Sequence, residues 1–133
     1  MKAAIGMEAS VQLFAAINFL VIGLSHIFAP RTWAKFFDLL RQKGEPGVFV
    51  VGFMSLSFGS IIVAFHNVWS GLPVVLTVIG WAQVLKALIY FTFPSFGLRR
   101  IGMASPERAH LFVYGGVFSL ALAGLFLYLF VTS

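Results

Sequence analysis

Four long runs of apolar residues dominate the chain, and short polar segments separate them. They cover residues 11–28, 47–68, 72–93 and 110–131. A helix needs about 20 apolar residues to cross a bilayer, and each run is close to that length. The five prolines fall at or near the edges of these runs, where they start or end helices without breaking them. The pattern predicts an all-α integral membrane fold, a bundle of four transmembrane helices forming one domain over residues 1–133.

The connection between the first two runs has a helical pattern of its own. In PRTWAKFFDLLRQKGEPG, apolar residues recur three and four positions apart at Trp33, Phe36, Phe37 and Leu40. We predict a short amphipathic helix over about 31–43 that lies in the membrane interface. Trp33, Phe36 and Phe37 would be its anchors, and its basic residues would face anionic headgroups. The alternative is a helix folded back over the bundle.

The basic residues predict how the chain is oriented. Seven of the nine Lys and Arg residues fall in the first and third connections, and Lys2 falls on the opposite side. Basic residues concentrate in cytoplasmic connections. We therefore expect a multi-pass protein of the cell membrane, which is the inner membrane in bacteria. Both termini would lie on its outer side and the two long connections in the cytoplasm.

Composition supports a membrane protein and excludes several other classes. Hydrophobic residues make up 60% of the chain and charged residues 10%, whereas soluble domains average about 25% charged. The net charge of +5 does not indicate nucleic-acid binding, because the basic residues sit between apolar runs rather than on one polar face. The absence of cysteine excludes disulfide exchange and thiolate metal sites.

Small and polar residues share helix faces within the runs. Three of the runs have such a face. It holds Gly52, Ser55 and Gly59 in the second run, Gly80 in the third, and Gly116, Ser119 and Ala123 in the fourth. Small residues in these positions let membrane helices approach closely. Helix packing is therefore expected, with a ligand-lined cavity as the alternative. On the helix of the first run, extended back to Glu8, one side holds Glu8, Gln12 and His26, and Asn18 and Ser25 lie about a quarter-turn away. So many polar groups would not all face lipid.

Lys86 is the one basic residue inside a run, and all four acidic residues lie outside the predicted membrane core. It lies about 10 Å from the cytoplasmic end of its helix. One interpretation is that it snorkels to the interface or bonds to backbone carbonyls and Gln83. The other is that it faces a cavity open to the cytoplasm and binds an anionic headgroup or substrate, with Gln83 and Tyr90 as neighbours.

The three histidines lie at different levels. His26 and His110 lie near the cytoplasmic ends of their spans and are candidate ligand-binding residues. Together they would bind a haem only if they faced each other at the same depth. His66 and Asn67 fall in an outer turn, where His66 is a candidate pH sensor and Trp69 a candidate interface anchor. We find no three or four converging ligands and predict no metal site.

The pattern H-N-x-W at 66–69, followed by G-W-x-x-x-x-K at 80–86 and by Pro94, resembles a group of small bacterial four-span inner-membrane proteins. The resemblance covers mainly the middle third of the chain. It implies a four-helix bundle in the inner membrane, and it implies no activity.

The functional expectation is non-catalytic. The sequence contains no paired carboxylates in a span, no nucleophile elbow and no phosphate loop. We expect a scaffold or accessory subunit that packs with itself or with a partner membrane protein. The alternative is a small carrier or lipid-binding protein that holds an anion through Lys86. A haem or quinone module is a third hypothesis; otherwise no cofactor is expected.

Overall fold

The computed structural model describes residues 6–103 and 106–133, except the side chain of Pro106, and this part of the chain contains helices and no strand. The helices are α1 (Met7–Phe28), α2 (Pro30–Gln42), α3 (Glu45–Phe65), α4 (Val74–Thr92), α5 (Pro94–Ile101) and α6 (His110–Thr132), and a short 3₁₀ turn (Pro106–Arg108) precedes α6. Four of them, α1, α3, α4 and α6, are long and apolar enough to cross a membrane. The all-helical class and the four candidate spans are thus confirmed.

The turn between α3 and α4 is longer than the apolar pattern predicts. The second run was expected to reach residue 68 and the third to begin at 72, but α3 ends at Phe65 and α4 begins at Val74. His66 leaves the helix with φ −142° and ψ 80°. This exit turns its imidazole towards α1 and α4, where its hydrogen-bond partners lie.

A second short amphipathic helix, α5, was not predicted. Pro94 opens it directly after α4, at a position where a proline fits a helix start. It packs tightly, because a Cβ added to Gly97 would lie 2.5 Å from the Val48 side chain and 3.1 Å from Tyr90. The start of the third connection therefore packs back against α3 and α4.

The long helices associate as two pairs, with α1 along α6 and α3 along α4. The first pair meets at two glycines, since a Cβ added to Gly116 would lie 2.7 Å from the backbone oxygen of Gly23. Nearby, Ser119 Oγ donates a hydrogen bond of 2.7 Å to the carbonyl of Phe19. Small residues thus bring the two backbones together, as is common between membrane helices.

The second pair uses the same device. A Cβ added to Gly59 would lie 2.8 Å from both the carbonyl oxygen of Gly80 and the β-carbon of Gln83. The other small residues predicted to pack helices also lie at contacts: Ser55 and Ala123 are buried, and Gly52 lies beneath the ring of Phe91.

Each end of the bundle has its own apolar core. We call the end that holds Met7, residues 66–73 and Thr132 the turn end. Its core joins all four long helices and consists of Val11, Ala15, Ala16, Ile62, Leu76, Phe126 and Leu129. The basic end, where α2 and α5 lie, is built from Leu40, Val48, Val51, Tyr90 and Ile101. The short helices therefore complete the core at one end only.

The aromatic face of α2 packs against the bundle. The Trp33 ring stacks on His26 with centroids 4.4 Å apart, and its Nε1 donates a hydrogen bond of 2.8 Å to Ser25 Oγ. Phe37 stacks on Phe112 of α6 at 5.8 Å, and Phe36 contacts both aromatic neighbours on α2. These contacts cover part of the aromatic face with protein, and the predicted contact of Trp33, Phe36 and Phe37 with the membrane interface stays a prediction. Helical periodicity identifies an apolar face but not what covers it.

We expect Gly116→Leu to destabilise the protein because the new side chain must displace the backbone of α1 at Gly23. Overpacking of this kind typically costs about 1–3 kcal/mol. Thermal unfolding in detergent measures the change. Gly124→Leu in the same helix is the matched control, because a Cβ there has no atom within 4 Å. Equal loss of stability in both variants would contradict the packing role of Gly116.

Candidate functional site

A buried polar cluster lies at the turn end. His66 and Thr77 are fully buried and Gln12 is 4% exposed. The Nε2 atoms of Gln12 and His66 are 3.1 Å apart, and His66 Nδ1 lies 3.1 Å from Thr77 Oγ1. The cluster therefore ties α1 to α4 through a residue at the end of α3.

The Thr77 hydroxyl determines which imidazole nitrogen carries the proton. It donates to the carbonyl of His66 at 3.2 Å and accepts from the backbone N–H of Val68 at 3.1 Å. With its only proton used, it accepts from His66 Nδ1 as well, so neutral His66 carries its hydrogen on Nδ1. The unprotonated Nε2 then accepts from the Gln12 amide N–H.

This allocation leaves Gln12 Oε1 without a donor. Among the described residues it is the one buried side-chain nitrogen or oxygen that lacks a hydrogen-bond partner. Buried polar atoms are nearly always paired, so this oxygen needs an explanation. In the sequence, Gln12 falls on a polar side of its helix, but no pattern connects it with His66, 54 residues away.

Burial lowers the pKa of His66 below its ordinary value of 6.5, because the charged imidazolium loses its hydration. A backbone hydrogen bond and the carboxylate of Glu8 act in the opposite direction, with smaller effect. His66 is thus predominantly neutral in the folded protein at neutral pH.

Asn67 organises the surface of the same turn. Its Oδ1 accepts hydrogen bonds from the indole N–H groups of Trp69, at 2.9 Å, and Trp81, at 3.2 Å. Gly71 has a φ of +71°, which glycine adopts without strain. The H-N-x-W and G-W parts of the sequence pattern therefore build the connection between α3 and α4, whereas Lys86 lies further along α4 towards the basic end.

A second group of polar residues surrounds Lys86. Its Nζ lies 5.5 Å from the centroid of the Tyr90 ring, within range of a cation–π contact. Arg100 of α5 acts electrostatically on both residues. In the described ranges the one salt bridge joins Arg41 to Asp38, so Lys86 has no acidic partner there. Gln83 packs its β-carbon at Gly59 and forms no hydrogen bond with Lys86.

The two histidines considered for haem have separate surroundings. His26 Nδ1 bonds to the carbonyl of Ile22 at 2.8 Å, and its ring contacts Trp33 and Phe112. His110 begins α6, and its ring lies against Tyr114. The described residues contain no group of three or more His, Asp or Glu that could hold a metal ion.

Comparison of the chain with protein-family models, curated proteins and solved structures gave no significant match. The four candidate spans indicate a multi-pass membrane protein. The two polar groups, one at each end of the bundle, are its candidate functional sites.

Because the folded-state pKa of His66 is lowered, the unfolded state binds more protons just below pH 6.5. Stability should therefore be fully present above pH 6.5 and fall as the pH drops towards the folded-state pKa. The slope contributed by one such proton reaches at most about 1.4 kcal/mol per pH unit. Thermal unfolding measured from pH 5 to 8 tests this.

His66→Asn should remove this part of the pH dependence, because an amide does not titrate and its nitrogen can still donate to Thr77. His110→Asn, at an exposed position, is the matched control and should keep the wild-type slope. An unchanged slope in His66→Asn would show that another group controls stability in this range.

Proposed function

We propose that this protein is a non-catalytic multi-pass membrane protein that binds phosphate-bearing anions, above all anionic lipid headgroups, at its basic end. The observation that carries the proposal is the Lys86, Tyr90 and Arg100 group, which combines two cations and a phenol. Among the described residues no acidic side chain forms an ion pair with either cation.

The electrostatics of this group favour an anion. Two cations held near each other repel, and the repulsion is stronger near apolar protein and lipid than in water. Burying a charge is costly unless it is paired. A phosphate group between Lys86 and Arg100 would replace this repulsion with two charge-assisted contacts, for which the arginine fork and the lysine ammonium are both suited.

The surroundings of the group supply a longer-range attraction. Seven exposed basic residues lie on α2, on α5 and near the start of α6: Arg31, Lys35, Arg41, Lys43, Arg99, Arg100 and Arg108. Each basic residue near an anionic leaflet contributes about 1 kcal/mol. We infer that this end faces the cytoplasmic leaflet of the inner membrane, which puts both termini outside.

The alternative is that the protein is an accessory subunit with no small-molecule site. It explains the polar residues by packing alone and leaves Lys86 to snorkel. It therefore predicts that Lys86 can be replaced without loss of any bound small molecule. An oligomer or a bound partner protein would be its positive sign.

We expect Lys86→Met to weaken binding of phosphatidylglycerol by about tenfold or more, since a hydrogen bond to a charged group contributes about 1.5–3 kcal/mol. Native mass spectrometry of the full chain in mild detergent, titrated with phosphatidylglycerol and with phosphatidylcholine, measures the effect. Titration with inorganic phosphate separates a lipid site from a site for the free anion.

Lys86→Arg should retain binding because it keeps the positive charge. Lys43→Gln is the matched control: it removes one exposed positive charge from the same end but lies outside the group. If Lys43→Gln and Lys86→Met weakened phosphatidylglycerol binding equally, the binding would come from the overall positive charge of this end and not from a site at Lys86. An oligomer with no bound lipid would favour the accessory subunit, and an absorption spectrum of the same sample tests for haem.

A further inference from the structure

A groove lies between the two helix pairs towards the basic end. Its described lining comes from the end of α1, the first turns of α2 and the middle of α3, and its volume is about 290 Å³. This volume is close to the lower limit for small-molecule sites, which is about 300 Å³. The lining residues are Ser25, Ala29, Thr32, Trp33, Phe36 and Met54.

The groove occurs where the helix pairs separate. At the turn end a shared core joins all four long helices. At the basic end, the core formed by described residues draws on α2, α3, α4 and α5 and contains no residue of α1. Helix α2 contacts both α1 and α3, and the groove follows the line between these two spans next to the first turns of α2.

The walls of the groove are apolar. The rings of Trp33 and Phe36 meet edge to face with centroids 5.9 Å apart. The indole N–H of Trp33 donates to Ser25 Oγ at 2.8 Å, so these two polar groups are paired with each other. Met54 follows the first residue of α3, Glu45, by nine positions, or about 13 Å along the helix. The groove therefore suits an extended apolar chain that runs parallel to the spans.

Basic side chains flank the groove along α2. Arg31 directly precedes Thr32, and Lys35 follows it by about one helical turn; both basic side chains are exposed. In the described part of the chain the one salt bridge joins Arg41 to Asp38, so no acidic side chain there neutralises Arg31 or Lys35. An apolar groove beside positive charge complements a molecule that has an apolar chain and an anionic head.

We propose that this groove holds one acyl chain of an anionic phospholipid from the leaflet at the basic end. The chain packs along Phe36 and Met54. The phosphate lies against Arg31 and Lys35, and the Thr32 hydroxyl is a further hydrogen-bond donor at the same level.

This groove is a second lipid site, separate from the anion site proposed above. Its described lining includes none of Lys86, Tyr90 and Arg100. Either proposal can therefore fail without the other.

The test is photolabelling of the full chain in phosphatidylcholine vesicles. A small fraction of phosphatidylglycerol carries a diazirine in the middle of one acyl chain, and peptide mass spectrometry locates the label after irradiation. We expect label at Phe36 and Met54. It should be at least fivefold stronger than with phosphatidylcholine that carries the same diazirine, since one basic residue near an anionic lipid strengthens the attraction about fivefold.

The double variant Arg31→Gln, Lys35→Gln should reduce groove labelling by phosphatidylglycerol to the level seen with phosphatidylcholine. Lys43→Gln is the matched control, because it removes an exposed positive charge from the same end but lies outside the groove lining. Lys86→Met should also retain the groove label, which separates this site from the anion site.

Variants that fill the groove test the acyl chain itself. Ala29→Leu and Met54→Phe should each lower the label at Phe36 by about fivefold or more, and the second variant serves if the first does not fold. Ala64→Leu enlarges an exposed residue of α3 outside the groove and should leave the label unchanged.

Four results would overturn the proposal. The first two are equal groove labelling by the two lipids and a label at Phe36 that persists in both filling variants. The third is loss of the label in Lys86→Met, which would place the headgroup at the anion site. The fourth is a groove that neither lipid labels in a protein that is dimeric by native mass spectrometry, which would assign the groove to a second copy of the chain.

Discussion

Close backbone contact at small residues is the constraint on which the arrangement of this molecule depends. Apolar side chains gain little by leaving lipid for a neighbouring helix, so packing has to come from surfaces that fit closely. Gly23 against Gly116 and Gly59 against Gly80 supply that fit in the two helix pairs. The pairs then fix where the polar residues at each end can meet.

The two ends use the paired helices differently. At the turn end, all four long helices converge on a shared core, and polar groups shielded from water must satisfy one another. Thr77 does this with three hydrogen bonds around one hydroxyl. At the basic end, two short helices cover the core instead and bring charged residues with them. One fold thus carries a buried hydrogen-bonded cluster at one end and a cationic group at the other.

The sequence predicts much of the architecture because length and apolar periodicity are local properties. The four long helices and the aromatic face of α2 follow from them. The short helix α5 does not, because eight residues after Pro94 give too little pattern to distinguish a helix from a loop. Without α5 the electrostatic influence of Arg100 on Lys86 is not predictable, and the proposed anion site reduces to a lone lysine.

The pairing of Gln12 with His66 also lies beyond local pattern, since it joins residues 54 positions apart. A polar residue in an apolar helix signals that a partner exists but does not say which. The face of α2 shows the same limit: the apolar pattern marks Trp33 as one of its members, but the stacking of its ring on His26 is seen only in the structure.

The bonds at Asn67 have an optical consequence. Two of the three tryptophans, Trp69 and Trp81, share a single oxygen at the turn end, while Trp33 stacks on a histidine at the basic end. The indoles thus report on opposite sides of the bundle and sit in unlike electrostatic environments. Intrinsic fluorescence can therefore register depth and orientation in a vesicle without any attached label.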